Sequence, residues 1–204
     1  MESVDVAVVR TDDRTRLKSG RSGMDRRPVD GRVLPGRSGV DGDTTCDVEH
    51  HGGPDPAVYA YSSGGLDLWA GSSVDPPHRV VRGRTSHCPE WTAAAPSSAG
   101  GQGRARGARP PHPVPVFAAF VDVPDLVSRF VAAGRPGAYL AVEREAQVRA
   151  GDPMTLLERR SHGATVGDVM AALTGDRERL PQVRLARDHM GARGRDRPER
   201  TADL

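Results

Sequence analysis

The 204-residue chain reads as a mainly β domain with a helical C-terminal part, α+β overall. Two patterns and one compositional signal carry that reading. Val4, Val6 and Val8 alternate with Asp5 and Ala7, the period-two pattern of a half-buried strand. Toward the other end, Thr165 and Asp168 stand at capping-box spacing, and Val166, Val169, Met170 and Leu173 fall at i, i+3, i+4 and i+7 before Gly175. The 24 glycines and 17 prolines, with only 36% hydrophobic residues and 4% aromatics, leave too little apolar material for one core spanning every residue.

Residues 1 to 71 read as short strands joined by turns. After an Arg-, Gly- and Ser-rich loop, "RPVDGRVLPG" offers short apolar pieces bounded by Asp-Gly and Pro-Gly, which predicts a turn between extended segments. "AVYAYSS" is a further strand, or the opening of a helix that runs on through "GGLDLWAG". Residues 72 to 114 differ in kind. Pro, Gly, Ser and Arg dominate there without aliphatic periodicity, so the segment is expected to be irregular. Order returns after residue 115. In "DVPDLVSRFVAAG", Asp122 is placed to cap a helix, Asp125 falls in its first turn, and Leu126, Val127, Phe130 and Val131 share a face before Gly134. "GAYLAVE" and "DPMTLLER" then read as strands, and the tail "GARGRDRPERTADL" as frayed. Two units are expected: residues 1–160, and a helical appendage over 161–204.

Basic and acidic residues nearly cancel, 29 against 27, so the net charge of +2 argues for neither nucleic acid nor membrane as a partner. The arginine clusters "RARGAR" and "RGRDRPER" lack interleaved aromatics for base stacking and read as solvated segments. No apolar run approaches the roughly 18 residues of a membrane span, and the start lacks a secretory pattern, so a cytoplasmic location is expected. Cys46 and Cys88, the only cysteines, are then free thiols rather than a disulfide framework.

The chemistry-bearing stretch is "CDVEHHGGPDPAVYAY", residues 46–61. His50 and His51 can hydrogen-bond an anionic or oxo-bearing ligand, and Gly52 and Gly53 let backbone approach it closely. The competing reading is a Gly-Gly-Pro turn with the imidazoles bound to neighbouring carbonyls. A zinc site built from Cys46, His50, His51 and Cys88 is disfavoured, because adjacent histidines rarely reach one tetrahedral ion. Cys46 alone is read as a small hydrophobe rather than a nucleophile, and Tyr59 and Tyr61 as core residues rather than pocket walls. No catalytic residue is assigned. A pyridoxal phosphate aldimine needs a lysine, and Lys18, the only one, sits in a Ser-Gly loop.

Three strings share a resemblance: "GMDRRPVDG" (23–31), "GDTTCDVEHHGGPDPAVYAY" (42–61) and "FVAAGRPGAYLAVEREAQVRAGDP" (130–153). Together they resemble the MOSC family, related to the C-terminal part of molybdenum cofactor sulfurases. "HGATVGDVMAALTGD" (162–176) is similar to a run in its stand-alone bacterial, YiiM-like branch. The resemblance implies a β-barrel-like fold with a helical end and a groove for a molybdenum-pterin cofactor. It further implies sulfur transfer or molybdenum-dependent reduction of N-hydroxylated compounds, with a redox partner protein. Pyridoxal phosphate is associated with the family only through another domain of full-length sulfurases. Arg26 and Arg27 stand where stand-alone relatives show Asp-Lys-Arg-Pro, and with His50, His51, Gly52 and Gly53 they are the cofactor-binding candidates.

One departure bears on activity. Stand-alone members carry a cysteine in a Pro-Cys run just ahead of the segment matching "FAAFVDVPDLV", whereas this chain has "PPHPVPVF". G/C-rich back-translation of parts of residues 72–114 in shifted frames yields family-like strings, which reads as translation out of frame. Two functions follow: a cofactor-binding MOSC protein, and an inactive, partly folded remnant of one.

Overall fold

The computed structural model describes residues 5–11, 21–46, 48, 52–61, 68–69, 91–96, 102–111, 118, 122–149, 152 and 154–190. The valine alternation at the start becomes β1 (Asp5–Thr11), which pairs antiparallel with β2 (Arg21–Pro28) and shifts register between Val8 and Arg10. The Asp-Gly signal marks a turn ahead of β3 (Arg32–Val33), whereas the Pro-Gly pair is itself a strand, β4 (Pro35–Gly36), joined to β5 (Gly39–Val40) by a turn at residues 37–38. Gly31 at φ 91° supplies the left-handed residue that the first of these turns requires. The stretch "AVYAYSS" resolves as a strand, β6 (Val58–Ala60).

The main sheet is five-stranded and antiparallel, in the order β11-β7-β8-β9-β6. Its remaining members are β7 (Trp91–Pro96), β8 (Gln102–Arg109), β9 (Ala138–Arg144) and β11 (Thr155–Arg159), while β10 (Val148–Arg149) pairs with β3. Two expectations change here. The segment 72–114, read as irregular, contributes β7 and β8, and β8 lies at the centre of the sheet between β7 and β9. Period-two alternation hides in its composition up to a register shift after Gly107: Gly103 and Gly107 are buried while Arg104 is exposed and Arg106 half-buried, and past Gly107 the pattern breaks with Ala108 also buried. Small residues fit because backbone comes close, and a Cβ on Gly103 would lie 3.0 Å from the Ala146 Cβ. The second change concerns closure. Among the described residues the sheet ends at β11 and β6, and no closed barrel is found among them.

Helix α1 (Leu126–Ala133) begins later than a cap at Asp122 would give. Pro124 disfavours helical backbone at Val123, and Asp122 takes φ 58° instead, leaving Asp125 at the N-cap. Asp125 makes no side-chain cap bond; the Ser128 hydroxyl donates to its carbonyl at 2.8 Å. Gly134 ends the helix in the left-handed region at φ 61°, as the sequence predicts. Leu126 (0% exposed) and Phe130 face the main core with Tyr59, Tyr61, Trp69, Leu140 and Val142.

The predicted capping box forms at α2 (Val166–Leu173). The Asp168 N–H donates to the Thr165 hydroxyl at 3.0 Å, and the Thr165 N–H to the Asp168 carboxylate at 2.7 Å. Met170 joins the main core, whereas Val169 and Ala172 face a second cluster with Ala164, Val183, Ala186 and Met190. That cluster draws on α3 (Leu180–Leu185) and on Ala186 and Met190, which flank the 3-10 turn Arg187–His189. Thr165→Ala removes one half of the box and is expected to cost about 1 kcal/mol, read as a lower urea midpoint at unchanged slope.

Candidate functional site

The double glycine is fixed by geometry on both sides. The Gly52 N–H donates to the Val48 carbonyl at 2.9 Å, a bond that spans the His50–His51 pair, whose own placement lies outside the described residues. A Cβ on Gly52 would sit 2.5 Å from that carbonyl oxygen and 2.7 Å from Val48 Cγ1, so the position excludes any side chain. Gly53 differs. Its φ of 105° favours glycine, yet a Cβ there would meet nothing within 4 Å. One glycine is thus held by packing, and the other leaves an open backbone.

Arg26 and Arg27 lie in β2, opposite Ala7 and Val6 of β1, and so belong to a strand rather than to a turn. Cys46 is a free, half-buried thiol, and Cys88 lies outside the described residues, as do Lys18 and the 112–117 stretch. Among the described residues no group of three or more His, Cys, Asp or Glu side chains could hold a metal ion.

Behind the glycines, β6 and the residue that follows it carry Tyr59 and Tyr61 into the core, as read from the sequence. The Tyr59 hydroxyl donates to the Pro136 carbonyl at 2.6 Å, and Trp69 Nε1 donates to the Tyr61 hydroxyl at 3.0 Å. Burial raises the Tyr61 phenol above its ordinary range, opposed by the Trp69 hydrogen bond and the Arg135 charge. Trp69 stacks on Phe130 at 6.3 Å, with the Arg129 guanidinium 5.7 Å from the indole centroid. These rings hold β6 against α1.

Sequence reasoning missed the polar junction on the sheet's other strands. Glu143 of β9 accepts Arg104 at 2.9 Å and Arg106 at 3.5 Å, which places these two arginines of "RARGAR" on a strand beside a carboxylate. Arg106 also donates to the His189 carbonyl at 3.2 Å, joining β8 to the helical end. The period-two spacing of those arginines was the available signal.

The MOSC domain family matches this chain over residues 47–155, more than half its length. The chain belongs to the MOSC domain family. Its matched MOSC span takes in His50, His51, Gly52 and Gly53 but neither Arg26 nor Arg27, and Cys88 is its only cysteine. Solved structures agree on the fold. YiiM from Geobacillus stearothermophilus superposes with a TM-score of 0.71 at 19% identity, covering 98% of this chain and 96% of that one. A protein described only as hypothetical gives 0.71 at 20% identity over 98% and 88%, and YiiM from Escherichia coli 0.65 at 18% over 87% and 88%. No functionally curated protein sequence matches this MOSC chain. No helix among its described residues is long and apolar enough to cross a membrane.

Proposed function

We propose that this MOSC protein binds a molybdenum-pterin cofactor and performs no sulfur transfer of its own. The observation that carries the reading is the family match across residues 47–155, which includes the His-His-Gly-Gly stretch. The donor chemistry of the chain suits holding the group. Gly53 presents backbone with no Cβ and open space beside it, a setting in which an anionic ligand can come close. His50 and His51 would hydrogen-bond its oxygens, and one of Arg26 and Arg27 would neutralise the pterin phosphate. When bound, the molybdenum would supply two-electron redox chemistry.

The same donor set does not suit sulfur handling. A thiolate is the soft donor that holds molybdenum or a persulfide. The stretch "PPHPVPVF" offers His112 there and no cysteine. Reduction of N-hydroxylated compounds, which the family resemblance implies, is therefore expected to be lost while binding persists. The second reading, an inactive and partly folded remnant, draws on the same missing thiol.

The test is expression in a host that makes the cofactor, followed by molybdenum and pterin analysis of the purified chain. Equimolar retention is expected, falling about tenfold or more in the His50→Ala/His51→Ala double variant, as loss of charged hydrogen bonds implies. Arg26→Ala and Arg27→Ala are best measured singly, since neighbours along a strand alternate faces. Absence of both molybdenum and pterin from a chain cleaved rapidly between residues 72 and 114 would favour the remnant.

A further inference from the structure

The helical end begins and finishes on a histidine. His162 stands in the turn between β11 and α2, His189 in the 3-10 turn after α3, and their rings stack with centroids 5.3 Å apart at 27°. Two hydrogen bonds frame the stack. Gln182 of α3 donates to the His162 carbonyl, and Arg106 of β8 donates to the His189 carbonyl at 3.2 Å. The pair thus sits where residues 162–190 close on themselves and join the main sheet. His162 Nδ1 accepts the Ala164 N–H at 3.2 Å, which leaves the proton of the neutral ring on Nε2. That Nε2 is buried with no hydrogen-bond partner among the described residues.

We propose that the His162–His189 stack is an acid-sensitive latch, which when neutral holds residues 162–190 on the sheet and when protonated releases them. A proton on Nδ1 converts the acceptor facing Ala164 into a donor aimed at another N–H. The charges facing the ring are also wrong for a cation. Arg160, held by Glu158 at 2.7 Å, and His189 both act on it. Arg106 approaches His189 while sharing Glu143 with Arg104, and Arg187 and Asp188 flank His189 in its turn. Burial first, then His189 and Arg160, hold the His162 imidazole below its ordinary 6.5.

The sign follows from linkage. The docked ring binds its proton less readily than the released ring, so docking is fully stable above 6.5 and weakens as pH falls from there toward the lower docked value. One proton limits the slope to about tenfold per pH unit.

The test is hydrogen exchange of the full chain between about pH 8 and about pH 5, corrected for intrinsic rates. Protection of α2 and α3 is expected to fall below pH 6.5 by up to about tenfold per unit while β8 and β9 hold. His162→Asn keeps an acceptor for Ala164 and cannot titrate, so its protection should stay flat. Simultaneous loss across α2, α3 and β9, or an acid response retained in His162→Asn, would overturn the latch. Ring titration by NMR in the native chain is independent of how that variant folds. A His162 midpoint at or above 6.5 would overturn it equally.

Discussion

Replacing Gly137 by alanine is expected to destabilise the chain by roughly 2–5 kcal/mol, the sum of a left-handed backbone penalty and an overpacking penalty. Gly137 opens β9 at φ 73°, and a Cβ there would lie 2.5 Å from the Ala60 carbonyl oxygen, 2.8 Å from the Tyr59 hydroxyl and 2.8 Å from Tyr61 Cδ2. None of the three is a loose end. Ala60 is backbone of β6, paired with Ala138; the Tyr59 hydroxyl is bound to Pro136; Tyr61 accepts Trp69. The substitution therefore pushes β6 off β9. Equilibrium urea unfolding followed by near-ultraviolet dichroism measures it, since all three tyrosines of the chain lie at this seam or beside it. Gly175→Ala is the control. It shares a positive φ, 110°, but a Cβ would meet nothing within 4 Å, so only the backbone penalty of about 1–2 kcal/mol remains. Equal losses in the two variants would show that the β6–β9 contact is not what fixes the glycine.

The elements legible in the sequence are those whose signals are local. The Thr165–Asp168 box, the stripe through Met170 and the Gly134 stop each act within one or two turns of helix, and each forms where it was read. β9 was legible for a related reason: "AYLAV" is apolar enough to announce a buried strand by itself. β7 and β8 were not. "WTAAAP" and "QGRARGAR" have almost no β-branched residues, and their strand state comes from pairing on both sides of β8. The arginines there mimic a disordered segment by composition, yet Glu143 answers Arg104 and Arg106 from the next strand. Such a partner 37 or more residues away along the chain leaves no local trace. The cap at Asp122 failed through a single residue, Pro124, whose effect on Val123 outweighed the capping preference.

At the candidate site the sequence offered residue types without their geometry. The histidines and glycines of residues 50–53 fall within the family span, but the sequence assigned both glycines one task, backbone approach to a ligand. Geometry separates them. Substitution at each position therefore asks a different question, and the two answers together test the proposed binding groove.

Gly52→Ala is expected to cost about 1–3 kcal/mol by overpacking, because its Cβ would fall 2.5 Å from a backbone oxygen and 3.2 Å from the carbonyl carbon of Val48. Relief requires opening the Gly52–Val48 hydrogen bond, which moves the His50–His51 segment relative to β6. Cofactor retention should fall with stability. Gly53→Ala meets no atom, so its loss is confined to the strain of φ 105°, about 1–2 kcal/mol, and the fold should survive it. If Gly53 presents backbone to the cofactor, the new methyl group occupies the space the ligand uses, and retention falls by more than stability does. Molybdenum content against urea midpoint for both variants separates the cases. Retention unchanged in a stably folded Gly53→Ala would remove Gly53 from the groove and leave the His50–His51 pair to be tested by its own substitutions.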